Sequence, residues 1–247
     1  MKGCNVKVFQ FRRDSKMWFS MLCVLLSLAL VQNSQLKIHI PRSSPENYPR
    51  LRLNEQFPSL NEFTICSWIK PHLIQREFST FFSYATSRSD NEFAVCLSNK
   101  DGNVKVGVNI ATSYTEMQCS NTEWTVGEWY HVCVSWFNTN GHLQVYAEGY
   151  QCYIDSNNET IARGDRIEGG GVFIVGQDQD TLDGKYEADQ AWIGDIADIN
   201  MWDEVLTERQ IIQAGKCEGK RNRGNIIGGL RTSMTALGIS ISETELC

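Results

Sequence analysis

The sequence predicts an all-β protein: a sandwich of antiparallel strands with one short helix laid on one face. Three observations carry that prediction. Apolar and polar residues alternate over 104–110, with Val104, Val106, Val108 and Ile110 facing one way and Lys105, Gly107 and Asn109 lying between them. Short apolar runs are separated by turn dipeptides. Only one stretch carries the start and stop signals of a helix.

Taken in chain order, each element has its reason. The apolar run 93–97 leads through Asp101-Gly102 into 104–110, which reads as a hairpin. Asn140-Gly141 joins 131–137 to 143–147 as a second hairpin. Gly169-Gly170-Gly171 opens onto Val172-Phe173-Ile174-Val175, a continuous apolar run typical of a buried strand. Thr207 can cap the helix and Gln210, three residues on, completes a capping box. Ile211, Ile212 and Ala214 follow, and Gly215 supplies the stop. With no heptads, repeat or linker, residues 35–247 read as one domain.

The first 34 residues stand apart. They hold Lys2, Lys7, Arg12, Arg13 and Lys16 against Asp14, a net of +4. The whole chain carries −6, so the remainder carries −6 − 4 = −10. An acidic body repels nucleic acid and bare anionic membrane, which excludes both as direct electrostatic partners. Residues 17–31 are apolar apart from two serines. As a helix they would span roughly 22 Å, short of a ~30 Å hydrocarbon core. The segment 1–34 therefore reads as a signal peptide and leader, and the protein as secreted without membrane insertion. A retained leader would instead make it a membrane-anchored adhesion module.

Cysteine use agrees with export. Beyond Cys4 and Cys23 in the leader stand Cys66, Cys96, Cys119, Cys133, Cys152, Cys217 and Cys247, an odd set that fits three bridges and one free thiol. No cysteine or histidine spacing matches a zinc site. Asn158-Glu159-Thr160 is an N-glycosylation acceptor.

Between Gly176 and Glu208 ten carboxylates face a single lysine, Lys185. The core of the stretch is Gln177-Asp178-Gln179-Asp180, followed by Glu187 and Gln190. On an extended backbone Asp178 and Asp180 share one side. Oxygen donors without histidine or cysteine suit calcium, which takes six to eight oxygens from carboxylates, amides and main-chain carbonyls. Asp178, Gln179, Asp180, Glu187 and Gln190, joined by Asp90 and Asn91 upstream, would suffice for two ions sharing carboxylates. The competing reading is a solvated acidic loop. The order of an EF-hand is missing. The triple glycine lacks the Gly-Lys-Ser/Thr of a phosphate-cradling loop. Arg163-Gly164-Asp165 is a tripeptide that recurs by chance, and His131 reads as a structural histidine.

His131-Val132-Cys133-Val134-Ser135-Trp136 resembles the pentraxin signature His-x-Cys-x-Ser/Thr-Trp. Phe63-Thr64-Ile65-Cys66, Ser83-Tyr84-Ala85-Thr86, Asp90-Asn91-Glu92, Gly176 to Asp180, Gly194-Asp195-Ile196 and Asn200-Met201-Trp202 match the family in the same order, from about Ile38 to Cys247. The extra cysteines and terminal Cys247 are most similar to arthropod C-reactive proteins. The resemblance implies a flattened, lectin-like jelly-roll β-sandwich with two calcium ions on one face and the helix on the other. It implies calcium ligands at Asp90, Asn91, Asp178, the Gln179 main-chain carbonyl, Asp180, Glu187 and Gln190. Asp178 stands where vertebrate relatives often have Glu. Bridges Cys66–Cys133, Cys119–Cys152 and Cys217–Cys247 are implied likewise, leaving Cys96 over.

Function follows by the same resemblance. It implies a non-enzymatic innate-immunity protein, a cyclic pentamer or hexamer that binds phosphocholine, phosphoethanolamine or polysaccharide on microbial or damaged-cell surfaces. One departure bears on the ligand. Six residues past Asp90, where relatives carry an aromatic against choline methyls, stands Cys96, and Ala94 is small as well. Losing that aromatic removes a cation–π surface of about 0.5–2 kcal/mol. The rival class is a jelly-roll carbohydrate-active enzyme, which needs two carboxylates facing each other across a cleft. Glu187 and Asp189, alternating on an extended chain, would diverge.

Overall fold

The structure is a computed structural model that describes residues 35–153, 160–216 and 222–246. The leader, Asn158, and Cys217 with Cys247 lie outside the described residues. Two antiparallel sheets pack face to face. One is ordered β10 (Tyr150–Gln151), β9 (His142–Ala147), β8 (Tyr130–Phe137), β3 (Glu62–Leu73), β12 (Ile193–Trp202), β1 (Gln35–Ile40) and β15 (Ser240–Thr244), with β13 (Ile227–Gly228) on β12. The other is ordered β14 (Met234–Leu237), β2 (Arg50–Leu53), β11 (Val172–Val175), β4 (Phe78–Ala85), β5 (Phe93–Ser98), β6 (Lys105–Ile110) and β7 (Ser113–Met117). The chain passes repeatedly between the sheets, giving an all-β jelly-roll sandwich. Among the described residues no helix is long and apolar enough to cross a membrane.

Both expected hairpins form. β5 pairs β6 with Phe93 opposite Ile110, and β8 pairs β9 with Phe137 opposite His142. The strand starts at Lys105 rather than Val104, while Val106, Val108 and Ile110 are fully buried as the alternation requires. The core between the sheets takes Phe63, Tyr84, Phe93, Trp136, Phe173 and Trp192. The signature residues on β8 serve this framework. Trp136 is fully buried beside Phe63 and donates from Nε1 to the Ile161 carbonyl at 2.9 Å. Ser135 Oγ shares a hydrogen bond with Thr64 Oγ1 at 3.0 Å.

Helix α1 (Glu208–Ala214) carries the expected capping box between Thr207 and Gln210. It seats Ile211 in a second apolar cluster with Cys66, Cys133, Tyr146, Trp202 and Leu206, on the outer face of the eight-stranded sheet. Gly215 ends the helix for a different reason than the expected one. Its φ is −79°, so no left-handed turn is made. A Cβ there would lie 2.7 Å from His131 Nδ1, so close packing requires the glycine.

Cys66 and Cys133 stand directly opposite on β3 and β8 and are bridged, with Cα atoms 4.1 Å apart. Cys119 and Cys152 are bridged as well. Cys96 is the free cysteine among the described residues, and it is buried.

Candidate functional site

The acidic run follows β11 on a backbone that two buried glutamines hold in place. Gly176 turns the chain at φ 94°, where a Cβ would meet Ile40 Cδ1 at 2.5 Å. Gln177, fully buried, donates to Ser43 Oγ at 2.9 Å and the Pro49 carbonyl at 2.8 Å. Gln179, also fully buried, donates to Ser83 Oγ and the Val172 carbonyl, and its Oε1 accepts from the Asp183 amide at 3.0 Å. With both glutamines directed inward, Asp178 and Asp180 face the opposite way, as the period of two requires. Because the Gln179 side chain is committed, the oxygen it has left for a ligand is its main-chain carbonyl.

Two further loops meet this run. Asn91 sits in the β4–β5 connection, and its carbonyl accepts from the Thr112 amide at 3.2 Å. The β6–β7 turn that supplies that amide holds Ala111 and Thr112 at positive φ, 46° and 70°. Asn91 Nδ2 donates to Asp90 Oδ1 at 3.3 Å. The 187–190 segment is a turn rather than an extended strand, closed by the Gln190 amide on the Glu187 carbonyl at 3.2 Å. It therefore brings Glu187 and Gln190 together, with Gln190 Nε2 on Glu187 Oε2 at 2.9 Å. The Gln190 carbonyl is tied to the Thr80 amide of β4 at 2.9 Å.

Asn91, Asp178, Asp180 and Gln190 line one open cleft of about 270 Å³ on the outer face of the seven-stranded sheet. Asp90 and Glu187 adjoin it through the hydrogen bonds to Asn91 and Gln190. Burial and then the charges of Asp180, Asp90 and Glu187 push Asp178 up to about 6. Asp180 is raised by burial, Glu187 and Asp90, and Lys185 alone offsets it.

The other carboxylates of the stretch behave differently. Asp183 pairs with Arg52 at 3.0 Å, Asp195 with Lys37, and Asp198 with Arg223. The charges left without an ion-pair partner among the described residues include all four carboxylates of the predicted calcium set. Hard oxygen donors, crowded like charges and a main-chain carbonyl between them fit a calcium ion. A separate grouping, Cys66, His131 and Cys133, is a disulfide with a histidine beside it, so its sulfurs are not free to ligate.

Sequence reasoning missed four residues that complete the cleft: Phe78, Thr80, Asn109 and Tyr114. Tyr114 of β7 covers the place where Cys96 left no ring. An added Cβ on Gly107 would sit 2.6 Å from Tyr114 Oη and 2.7 Å from Cys96 Sγ, so the glycine makes room for this overlap. Phe78 and Tyr114 meet edge to face at 5.9 Å, and Lys100 Nζ lies 4.3 Å and 5.0 Å from their centroids. Asn109 Oδ1 is buried with no hydrogen-bond partner. The signals in the sequence were weak: outward positions on strands that flank the acidic loops.

Three comparisons place this architecture among known proteins. A sequence profile described as the Pentaxin family matches residues 37–238. C-reactive protein 3.3 of Limulus polyphemus is 34% identical over 233 residues, covering 92% of this chain and 94% of that protein. Neuronal pentraxin-1 of Rattus norvegicus is 30% identical over 202 residues, which is 81% of this chain and 44% of that protein. A heptameric SAP-like pentraxin from Limulus polyphemus superposes with a TM-score of 0.79 at 33% identity, covering 86% of this chain and 97% of that one. The sandwich, the cleft and these likenesses agree: the chain belongs to the pentraxin family.

Proposed function

We propose that the chain is a secreted, calcium-dependent, non-enzymatic recognition protein. It binds phosphorylated or anionic carbohydrate groups on microbial or damaged-cell surfaces as part of innate defence. The observation that supports this most is the group of carboxylates around Asp178, crowded beside an open cleft with no ion pair among the described residues and Lys185 alone to offset them. Asp90, Asn91, Asp178, the Gln179 carbonyl, Asp180, Glu187 and Gln190 would hold two calcium ions, which supply the positive charge that grips a ligand phosphate or carboxylate. An upward-shifted carboxyl can also mark a general acid. Here the shift comes with several neighbouring carboxylates, an arrangement that a bound cation relieves.

The chain's own residues select what lies beyond the phosphate. Lys100 already places its ammonium over Phe78 and Tyr114, the rings a trimethylammonium would use. Ethanolamine N–H groups and sugar hydroxyls can hydrogen-bond to the polar side chains that line the cleft, Thr80 and Asn91 among them, whereas choline has no N–H to offer. Phosphoethanolamine and phosphorylated saccharides are therefore preferred to phosphocholine. Isothermal titration in millimolar calcium should rank phosphoethanolamine above phosphocholine, and Lys100→Ala should shift the balance toward phosphocholine. A preference for phosphocholine in the unaltered chain would contradict the selection argument, and binding that survives chelation would contradict the calcium dependence.

Export is supported by the leader and by two disulfides, which persist in oxidising compartments. Assembly is supported by the Limulus relative described as heptameric. A closed ring of identical subunits, five or six by the family resemblance and seven in that relative, would turn weak single sites into avidity on repetitive surfaces.

A further inference from the structure

The outer face of the eight-stranded sheet carries a second cluster, of a different chemistry. His39 on β1 stands directly opposite Asp195 on β12. The Asp195 side chain is only 2% exposed. His39 Nδ1 lies 2.7 Å from Asp195 Oδ1, and His72 Nε2 lies 3.6 Å from Oδ2. The two imidazoles are 5.3 Å apart. One ligand atom from each of the three residues lies within 4.8 Å of the other two.

The backbone is shaped to produce this meeting. Along β3 and β12, Gly194 pairs with Pro71 and Ile193 with Leu73, so His72 is left over in a bulge. Gly194 lets the strands close there, since an added Cβ would sit 2.1 Å from the Lys70 carbonyl oxygen and 3.0 Å from the His72 amide. A bulge that redirects one side chain is a recurrent device beside binding sites. The three residues stand on adjacent hydrogen-bonded strands, β3, β12 and β1, which hold them more rigidly than loops would.

We infer that His39, His72 and Asp195 form a binding site for a first-row transition ion of the zinc class, separate from the oxygen-lined cleft. Two imidazoles and one carboxylate suit Zn²⁺, Ni²⁺ or Cu²⁺ and are a poor set for calcium. Zinc bonds of about 2.0–2.2 Å require the donors to draw in by side-chain rotation. Both histidine side chains are 37% exposed, which gives them that freedom and leaves an outward position for water or an external donor. Lys37 is the built-in competitor. Its ammonium holds Asp195 Oδ2 at 2.5 Å, so an entering ion must displace it.

The test is a zinc titration of the chelator-stripped full chain in millimolar calcium, so that the oxygen-lined cleft is filled. One equivalent of Zn²⁺ per chain should bind. His39→Gln and His72→Gln should each weaken binding at least about tenfold, as loss of a ligand does. Lys37→Met should tighten it several-fold, an effect that scattered surface histidines would not give. Asp180→Asn with Glu187→Gln should leave it unchanged. Thermal melts of each variant check that it folds. Absence of a saturable equivalent, indifference to both histidine substitutions, or loss in the Asp180/Glu187 variant would overturn the assignment.

Discussion

Two groups of carboxylates, one on each outer face of the sandwich, treat negative charge in opposite ways. On the eight-stranded face Asp195 is met by Lys37 and His39, and Asp198 by Arg223. On the seven-stranded face Asp178 and Asp180 sit among other carboxylates, with Lys185 as the one offsetting cation. Both groups come from one acidic stretch of sequence. The difference teaches that charge density is a poor guide to function until its partners are known. A paired carboxylate already has its counter-charge, whereas an unpaired, half-buried one leaves room for an ion. Stability should therefore respond to changes in the framework, and calcium response to changes in the cleft.

The largest expected effect breaks the framework alone. Trp136→Ala empties a fully buried site and should cost about 3–5 kcal/mol in chemical denaturation. The calcium-induced rise in melting temperature should survive in whatever fraction still folds. Loss of that rise at preserved fold would mean that the two faces are not separable.

A second test sharpens the contrast through pH. The folded, ion-free chain holds Asp178 at about 6, above its unfolded value of 3.8. The folded state thus binds the proton more tightly, so the ion-free protein loses stability as pH rises from about 4 to about 6. Calcium needs the ionised carboxylate, so its stabilising effect is full above about 6 and shrinks as pH falls through that value. Melts at pH 7.5 and 5.5, with and without calcium, should show this in the unaltered chain and not in Asp178→Asn. The smallest effect is Thr207→Ala, which removes the cap of α1 and should cost about 1 kcal/mol without altering calcium response.

How much of this was legible in the sequence follows from distance along the chain. Local patterns read well: the β5–β6 and β8–β9 hairpins, the capping box, and the outward alternation of Asp178 and Asp180 all depend on neighbours within a few residues. The bridges Cys66–Cys133 and Cys119–Cys152 became readable only through a family resemblance, because spacing alone leaves the pairing open. The turn at 187–190 was missed because a hydrogen bond between Gln190 and Glu187 overrides the extended pattern. Tyr114 over Cys96 and Gly107 was invisible, since it depends on the register of β6 with β7. His72 meeting Asp195 was less visible still, because a single unmatched residue in a bulge decides it.

An ion-binding platform and a solvated acidic loop differ in how the folded chain responds to calcium. Thermal unfolding of the unaltered chain and of Asp180→Asn/Glu187→Gln should be compared in chelator and in millimolar calcium. Binding to the folded state alone raises the midpoint by mass action. The account predicts a clear rise for the unaltered chain and little or none for the double variant. It also predicts a higher midpoint for the double variant in chelator, since two repelling charges are gone. No rise for the unaltered chain, or an equal rise in both, would contradict it.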